Sequence, residues 1–218
     1  MRGVGRVEHR ERLGEFTYVW EKCCFPLGGD SLALGAFATV RPGWRVCDLG
    51  CGAGALGILL LARERTLRLT GVELDAAAAE LARRNLRENG LAGEIVTGDL
   101  RAPEYLPPAG SCGLVVSNPP YFAPGTGRSG GGARMGHSCS TEDLCAAAAR
   151  SLKNGGRFAL VHRPERLCDL VSTLRAHGLE PKRMQLVRHS AAHSPSTVLL
   201  EAVRQGKPGL DILPDLVR

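Results

Sequence analysis

Two short runs in this 218-residue chain are of residue types that could do chemistry. In Asp48-Leu49-Gly50-Cys51-Gly52-Ala53-Gly54, the glycines let a backbone turn sharply and approach a ligand with no Cβ in the way. A helix after it would present unpaired N–H groups to a carboxylate or a phosphate. Read literally, Gly52, Gly54 and Gly57 also match the dinucleotide fingerprint, with Glu73 as the acid that takes a ribose. Asp48 argues against a dinucleotide, because its negative charge would repel a pyrophosphate and attract a cationic ligand.

The second run is Asn118-Pro119-Pro120-Tyr121. An exocyclic or amide nitrogen is a poor nucleophile because its lone pair is delocalised. If the Asn118 side-chain oxygen and the Pro119 carbonyl accept its two hydrogens, the nitrogen moves toward tetrahedral geometry and its lone pair faces an electrophile. The prolines fix the local dihedrals, so the carbonyl is in place before substrate arrives, and no general base of matched pKa is needed. Tyr121 offers a face for an unstacked base, a contact worth about 1–3 kcal/mol, and Phe122 either extends that wall or only packs. As a bare turn the run would only end a strand with an aromatic packed outside. Following a strand downstream of a glycine loop, it reads as a site that fits adenine N6, cytosine N4, guanine N2 or a glutamine amide alike.

The elements that must position these residues alternate. Residues 32–38 read as a short helix capped by Asp30 or Ser31, 44–49 as a buried strand, and 55–64 as a helix. Strand 67–74 hands over to a helix capped by Asp75 and stopped by Asn89-Gly90. Further strands are expected at 94–97 and 114–117. A Gly- and Ser-rich loop follows at 123–139, then a helix to Leu152 opened by a Ser140/Asp143 capping box and stopped by Asn154-Gly155-Gly156. Strand 157–162, a helix 164–177 opened by Pro164, and strands 183–187 and 197–203 complete the chain. Strands alternating with helices require a parallel α/β sheet covered on both faces, with ligands at the strand carboxyl ends. Asp48, Glu73, Asp99 and Asn118 all fall at such ends.

With 44% apolar and 23% charged residues, the chain is composed like one globular domain: 28–218, preceded by a basic extension, 1–27, that packs on the core. An excess of 28 Lys+Arg over 22 Asp+Glu gives +6 and suits a polyanionic partner. The longest apolar stretch, 56–62, is too short to cross a bilayer, and residues 1–25 lack the apolar run of a secretory signal, so a cytoplasmic protein is expected. None of the eight cysteines forms a Cys-x-x-Cys pair. Reduced, mostly buried thiols and no metal are expected.

The glycine loop after Asp48 and the Asn118-Tyr121 run together resemble the class I S-adenosylmethionine-dependent methyltransferases of the Asn-Pro-Pro-Tyr type. Stretches 162–167, 179–183, 197–201 and 206–209, with Glu11-Arg12-Leu13 and Asp30-Ser31-Leu32-Ala33-Leu34, are similar to the bacterial tRNA(Val) (adenine-N6)-methyltransferase family over nearly the whole chain. The resemblance implies a Rossmann-like fold, a mostly parallel seven-stranded sheet with helices on both faces. It implies S-adenosylmethionine held by Asp48, Gly50, Gly52, Gly54, Leu74 and Asn118, with Glu73 at the ribose hydroxyls and Asp99 and Leu100 at the adenine. The implied substrate is an adenine in a tRNA anticodon loop, already single-stranded. A basic patch of Arg163, Arg166, Lys182 and Arg183 near the sheet's carboxyl edge would take its phosphates, and a monomer is expected. Glutamine N5 of a protein and guanine N2 of rRNA are the alternatives on the same core. The chain departs from the family at Ala133-Arg134-Met135-Gly136-His137 and at Ser196.

Overall fold

The computed structural model describes residues 8–22, 24–119 and 139–218. A hairpin opens it: β1 (His9–Leu13) pairs antiparallel with β2 (Phe16–Trp20) across a turn in which Gly14 has φ 63°. The helices are α1 (Gly29–Phe37), α2 (Ala55–Arg63), α3 (Ala76–Glu88), α4 (Thr141–Ser151) and α5 (Leu167–Ala176). The strands between them are β3 (Arg45–Leu49), β4 (Arg68–Glu73), β5 (Gly93–Thr97), β6 (Cys112–Ser117), β7 (Leu152–His162), β8 (Leu179–Arg188) and β9 (Thr197–Arg204). These seven are the expected strands. Two more of two residues each, β10 (Asp211–Ile212) and β11 (Leu216–Val217), run parallel to β8 and give a sheet of nine.

The order is β10-β8-β9-β7-β6-β3-β4-β5. Strands β3 to β7 are parallel, and β9 is antiparallel to both neighbours. From β3 the chain steps outward through β4 to β5, then crosses back to lay β6 on the other side of β3. The strand order therefore reverses between β3 and β6, and their carboxyl ends frame the crevice where such sheets take ligands. β6 is buried along its whole length, as a central parallel strand must be. Two apolar cores flank the sheet. One gathers residues of the hairpin and α1–α3, and the other those of α4 and α5.

Several boundaries differ from expectation for visible reasons. α1 starts at Gly29 with no side-chain cap, because Asp30 accepts from Thr197 (3.2 Å) and Ser31 accepts from Asn118 (2.9 Å). α4 has the expected capping box but stops at Ser151. Asn154-Gly155-Gly156 lie inside β7 at a register irregularity, with Gly155 at φ 74°. Pro164–Arg166 form a 3-10 turn ahead of α5, where a single helix was expected. The hairpin is tied to α3 by two asparagines. Asn89 bonds both backbone groups of Thr17 (2.8 and 2.7 Å), and the fully buried Asn85 bonds both of Val19 (2.9 and 2.8 Å).

Candidate active site

Strand β3 delivers Asp48 into the interior, where it is 1% exposed. Among the described residues neither of its carboxylate oxygens has a partner within full hydrogen-bond geometry, and the Gly57 N–H on α2 acts to lower its pKa. Burial first, and the charge of Glu73 second, push its pKa up to about 7. The loop after it is folded by its own backbone: the Gly50 and Cys51 N–H groups donate to the Val72 carbonyl on β4 (2.9 and 3.1 Å). Gly54, at φ 85°, caps α2, a conformation that favours glycine, and a Cβ there would lie in a tight 3.3 Å contact with that of Ala82.

Glu73, at the tip of β4, clamps this loop. One carboxylate oxygen accepts from the Gly52 N–H (2.8 Å) and the other from the Asp75 N–H (2.9 Å). Asp75 in turn caps α3 as expected, accepting from Ala77 and Ala78. From the opposite side, the Asn85 side-chain amide donates to the Ala53 carbonyl (2.8 Å), so the residue that anchors the hairpin also holds the glycine loop.

Asn118 follows β6 directly. Its strand end is fixed to β3 by the Ser117 hydroxyl, which donates to the Leu49 carbonyl (2.8 Å). The Asn118 Nδ2 donates to the Ser31 hydroxyl on α1 (2.9 Å). Asp48, Gly50, Gly52 and Asn118 line one cavity of ≈ 90 Å³, together with Ser31 and Cys51, and Tyr18, Phe25 and Pro26 stand at its wall. Phe25 is 73% exposed there. A buried, uncompensated carboxylate on a polar cavity suits a ligand that brings positive charge. The ammonium and sulfonium of S-adenosylmethionine fit that requirement, and a pyrophosphate does not.

Other expected residues are placed differently. Leu74 is 58% exposed beyond β4. Asp99 lies past the end of β5 and is forked by the Arg101 guanidinium (3.0, 3.0 and 2.5 Å). Leu100 packs on the second core and lines a separate cavity of ≈ 150 Å³ with Arg101, Leu106, Asp143 and Arg150. Pro119 is described and adjoins the site, whereas Pro120, Tyr121 and residues 122–138 lie outside the described residues.

The four cations expected as one carboxyl-edge patch are divided, and this corrects the sequence reading. Arg163 lies just past β7 at that edge, within 3.4 Å of the Ser196 carbonyl, and Arg166 is exposed beside Asp169 (3.0 Å). Leu186 is the β8 residue level with His162, so Arg183 lies roughly 10 Å back toward the amino edge. There its guanidinium stacks on Phe37 (4.7 Å) and reaches Thr39 (3.0 Å) and Glu201 (3.3 Å). Glu201, 0% exposed, also accepts from Arg157 (2.6 Å), so Arg183 compensates a buried charge. Lys182 bonds the Lys207 carbonyl (3.2 Å).

Among the described residues no three or more His, Cys, Asp or Glu side chains gather where they could hold a metal ion. The described cysteines are free thiols, with Cys47, Cys51, Cys112 and Cys145 buried. No helix among the described residues is long and apolar enough to cross a membrane. Sequence reasoning missed Ser31, Asn85 and Phe25 as parts of the site. Ser31 resembles a helix cap, and nothing in the spacing links it to Asn118.

Residues 29–176 match the methyltransferase small domain. The chain is 31% identical over 193 residues to a tRNA1(Val) (adenine(37)-N6)-methyltransferase of Parabacteroides distasonis, covering 86% of this chain and 80% of that one. An enzyme of the same name from Dickeya chrysanthemi is 30% identical over 212 residues, covering 93% and 84%. In fold, a crystal structure of a predicted O-methyltransferase from Agrobacterium tumefaciens superimposes with a TM-score of 0.70 at 22% identity, over 86% of each chain.

Proposed function

Because the chain belongs to the methyltransferase small domain family, we propose that it methylates the N6 amino group of an adenine in the anticodon loop of a tRNA, using S-adenosylmethionine. The observation that carries the reading is the shared cavity: Asn118, at the tip of β6, faces the same space as the buried Asp48 and the glycine loop after β3. The names of the relatives supply the tRNA and the N6 position.

S-adenosylmethionine, when bound, supplies an electrophilic methyl group on a positively charged sulfur. Asp48 provides the negative charge that such a ligand requires, and the Gly50–Gly54 backbone lets it approach. Glu73 holds that loop through Gly52 and Asp75 and, in this reading, also takes the ribose hydroxyls, with Leu74 beside them. Asp99 and Leu100 are assigned to the adenine ring, and Asp99 must exchange its Arg101 partner to serve there.

The Asn118 Oδ1 and the Pro119 carbonyl accept the two hydrogens of the target amine, so its lone pair is no longer held in the ring plane. The surplus proton leaves to water once nitrogen has become cationic, so the residues need hold no proton. Pro120 and Tyr121, outside the described residues, are assigned by the sequence motif to the same site, Tyr121 as the face on which the base stacks. Arg163 and Arg166 are the cations this reading assigns to tRNA phosphates. One chain supplies every group in this scheme, which a monomer satisfies, and a tRNA substrate puts the enzyme in the cytoplasm.

The test is transfer of labelled methyl from S-adenosylmethionine to bulk tRNA lacking the modification, followed by nucleoside mass spectrometry. N6-methyladenosine is the expected product. Label in protein and none in nucleosides would replace this reading with glutamine methylation.

A further inference from the structure

An asparagine side chain has two ends of nearly equal size and opposite hydrogen-bonding sense. A site that asks Asn118 to accept a hydrogen from a substrate amine works with its oxygen turned that way. A half-turn about the last side-chain bond would set an NH2 against an NH2. The backbone cannot prevent this. Pro119 restricts Asn118 to extended conformations and Ser117 pins the strand end, but neither acts on the amide plane.

Ser31 does act on it. Its hydroxyl lies 2.9 Å from the Asn118 Nδ2 and accepts from it. Ser31 itself is only 9% exposed and sits in the first turn of α1, where its N–H donates to the Gly28 carbonyl (3.0 Å). The preceding Asp30 is held by Thr197 of β9 (3.2 Å) and by Arg218 (2.5 Å), so the turn carrying the hydroxyl is fixed from two further parts of the fold. We propose that Ser31 is a positioning residue: by accepting from Nδ2 it sets the amide of Asn118 with Oδ1 as the acceptor for the substrate amine. This rests on the proposed amino-methylating role of Asn118.

A double-mutant cycle over Ser31→Ala and Asn118→Asp tests it, with each variant's melting temperature as the folding control. In the parent background Ser31→Ala should lower kcat by about 10-fold to 100-fold, the range that slight misplacement of a reacting group produces, with KM for both substrates nearly unchanged. A carboxylate at position 118 accepts at both ends and has no wrong orientation. In the Asn118→Asp background the same Ser31→Ala change should therefore cost no more than about 2–3-fold, a non-additivity that simple packing would not give.

Should Asn118→Asp be inactive, the side-chain amide of Asn118 decides without catalysis. In 15N–1H spectra of the ligand-free parent its protons should exchange slowly with solvent, and in Ser31→Ala rapidly. Equal kcat losses in both backgrounds, or unchanged amide exchange, would overturn the proposal. Full activity of Asn118→Ala would instead remove the reading beneath it. An inactive Asn118→Ala alongside an unimpaired Ser31→Ala would remove this inference alone.

Discussion

Replacing Asp48 with Asn should stabilise the ligand-free protein while weakening its cofactor binding. The carboxyl is buried with no side-chain partner among the described residues, and its pKa stands at about 7 against an ordinary 3.8. Between those values the folded protein keeps a proton that the unfolded chain has released. This contribution to stability is therefore complete below about pH 4, falls as pH rises toward 7, and is gone above it. Three units correspond to about 4 kcal/mol at 1.36 kcal/mol each, of which the window from pH 5 to 7 holds about 2–3 kcal/mol. Urea unfolding of the parent and of Asp48→Asn at pH 5, 6, 7 and 8 isolates this group, since all others titrate in both. The difference in unfolding free energy should shift in the variant's favour by about 2–3 kcal/mol from pH 5 to 7 and then stay level. Calorimetry at pH 8 should show weaker S-adenosylmethionine binding by the variant, because the negative charge is gone. Parallel pH profiles would refute the buried-carboxylate argument, and undiminished binding would refute its link to a cationic ligand.

Asn85→Leu should cost about 3–6 kcal/mol, since it strips partners from the Val19 N–H, the Val19 carbonyl and the Ala53 carbonyl. Thermal melting should fall by roughly 6–24 °C, against a much smaller fall for the part-buried Asn89→Ala. Asn118→Ala should keep cofactor affinity by calorimetry and lose methyl transfer by about 100-fold to 1,000-fold, the scale for removing one preorganised hydrogen-bonding group. Arg183→Ala should lower stability by about 1–3 kcal/mol, because among the described residues Glu201 keeps only Arg157 as its ion-pair partner, and leave tRNA affinity unchanged. Arg163→Ala combined with Arg166→Ala should do the reverse, reducing the salt slope of tRNA binding by roughly 1–2 with little change in melting.

The sequence by itself determined the alternation of strands and helices and the two runs that matter. Apolar runs bounded by glycine, proline and capping residues are local signals, and the Asp75 and Ser140 caps formed as their spacing required. The run of glycines after Asp48 is equally local, because a left-handed turn restricts residue type wherever it occurs. What the chain could not disclose is which polar groups would meet across the sheet. Ser31 looks like a helix cap until the return of β6 beside β3 brings Asn118 against it. Arg183 looks like a phosphate ligand until β9 sets Glu201 opposite it in the register. Asp48 is an acid like any other in sequence. Its pKa is raised because burial by the packed sheet removes water and the fold brings the like charge of Glu73 near it. Hydrogen-bond partners and desolvation are properties of neighbours distant in the chain, so tertiary structure alone decided them.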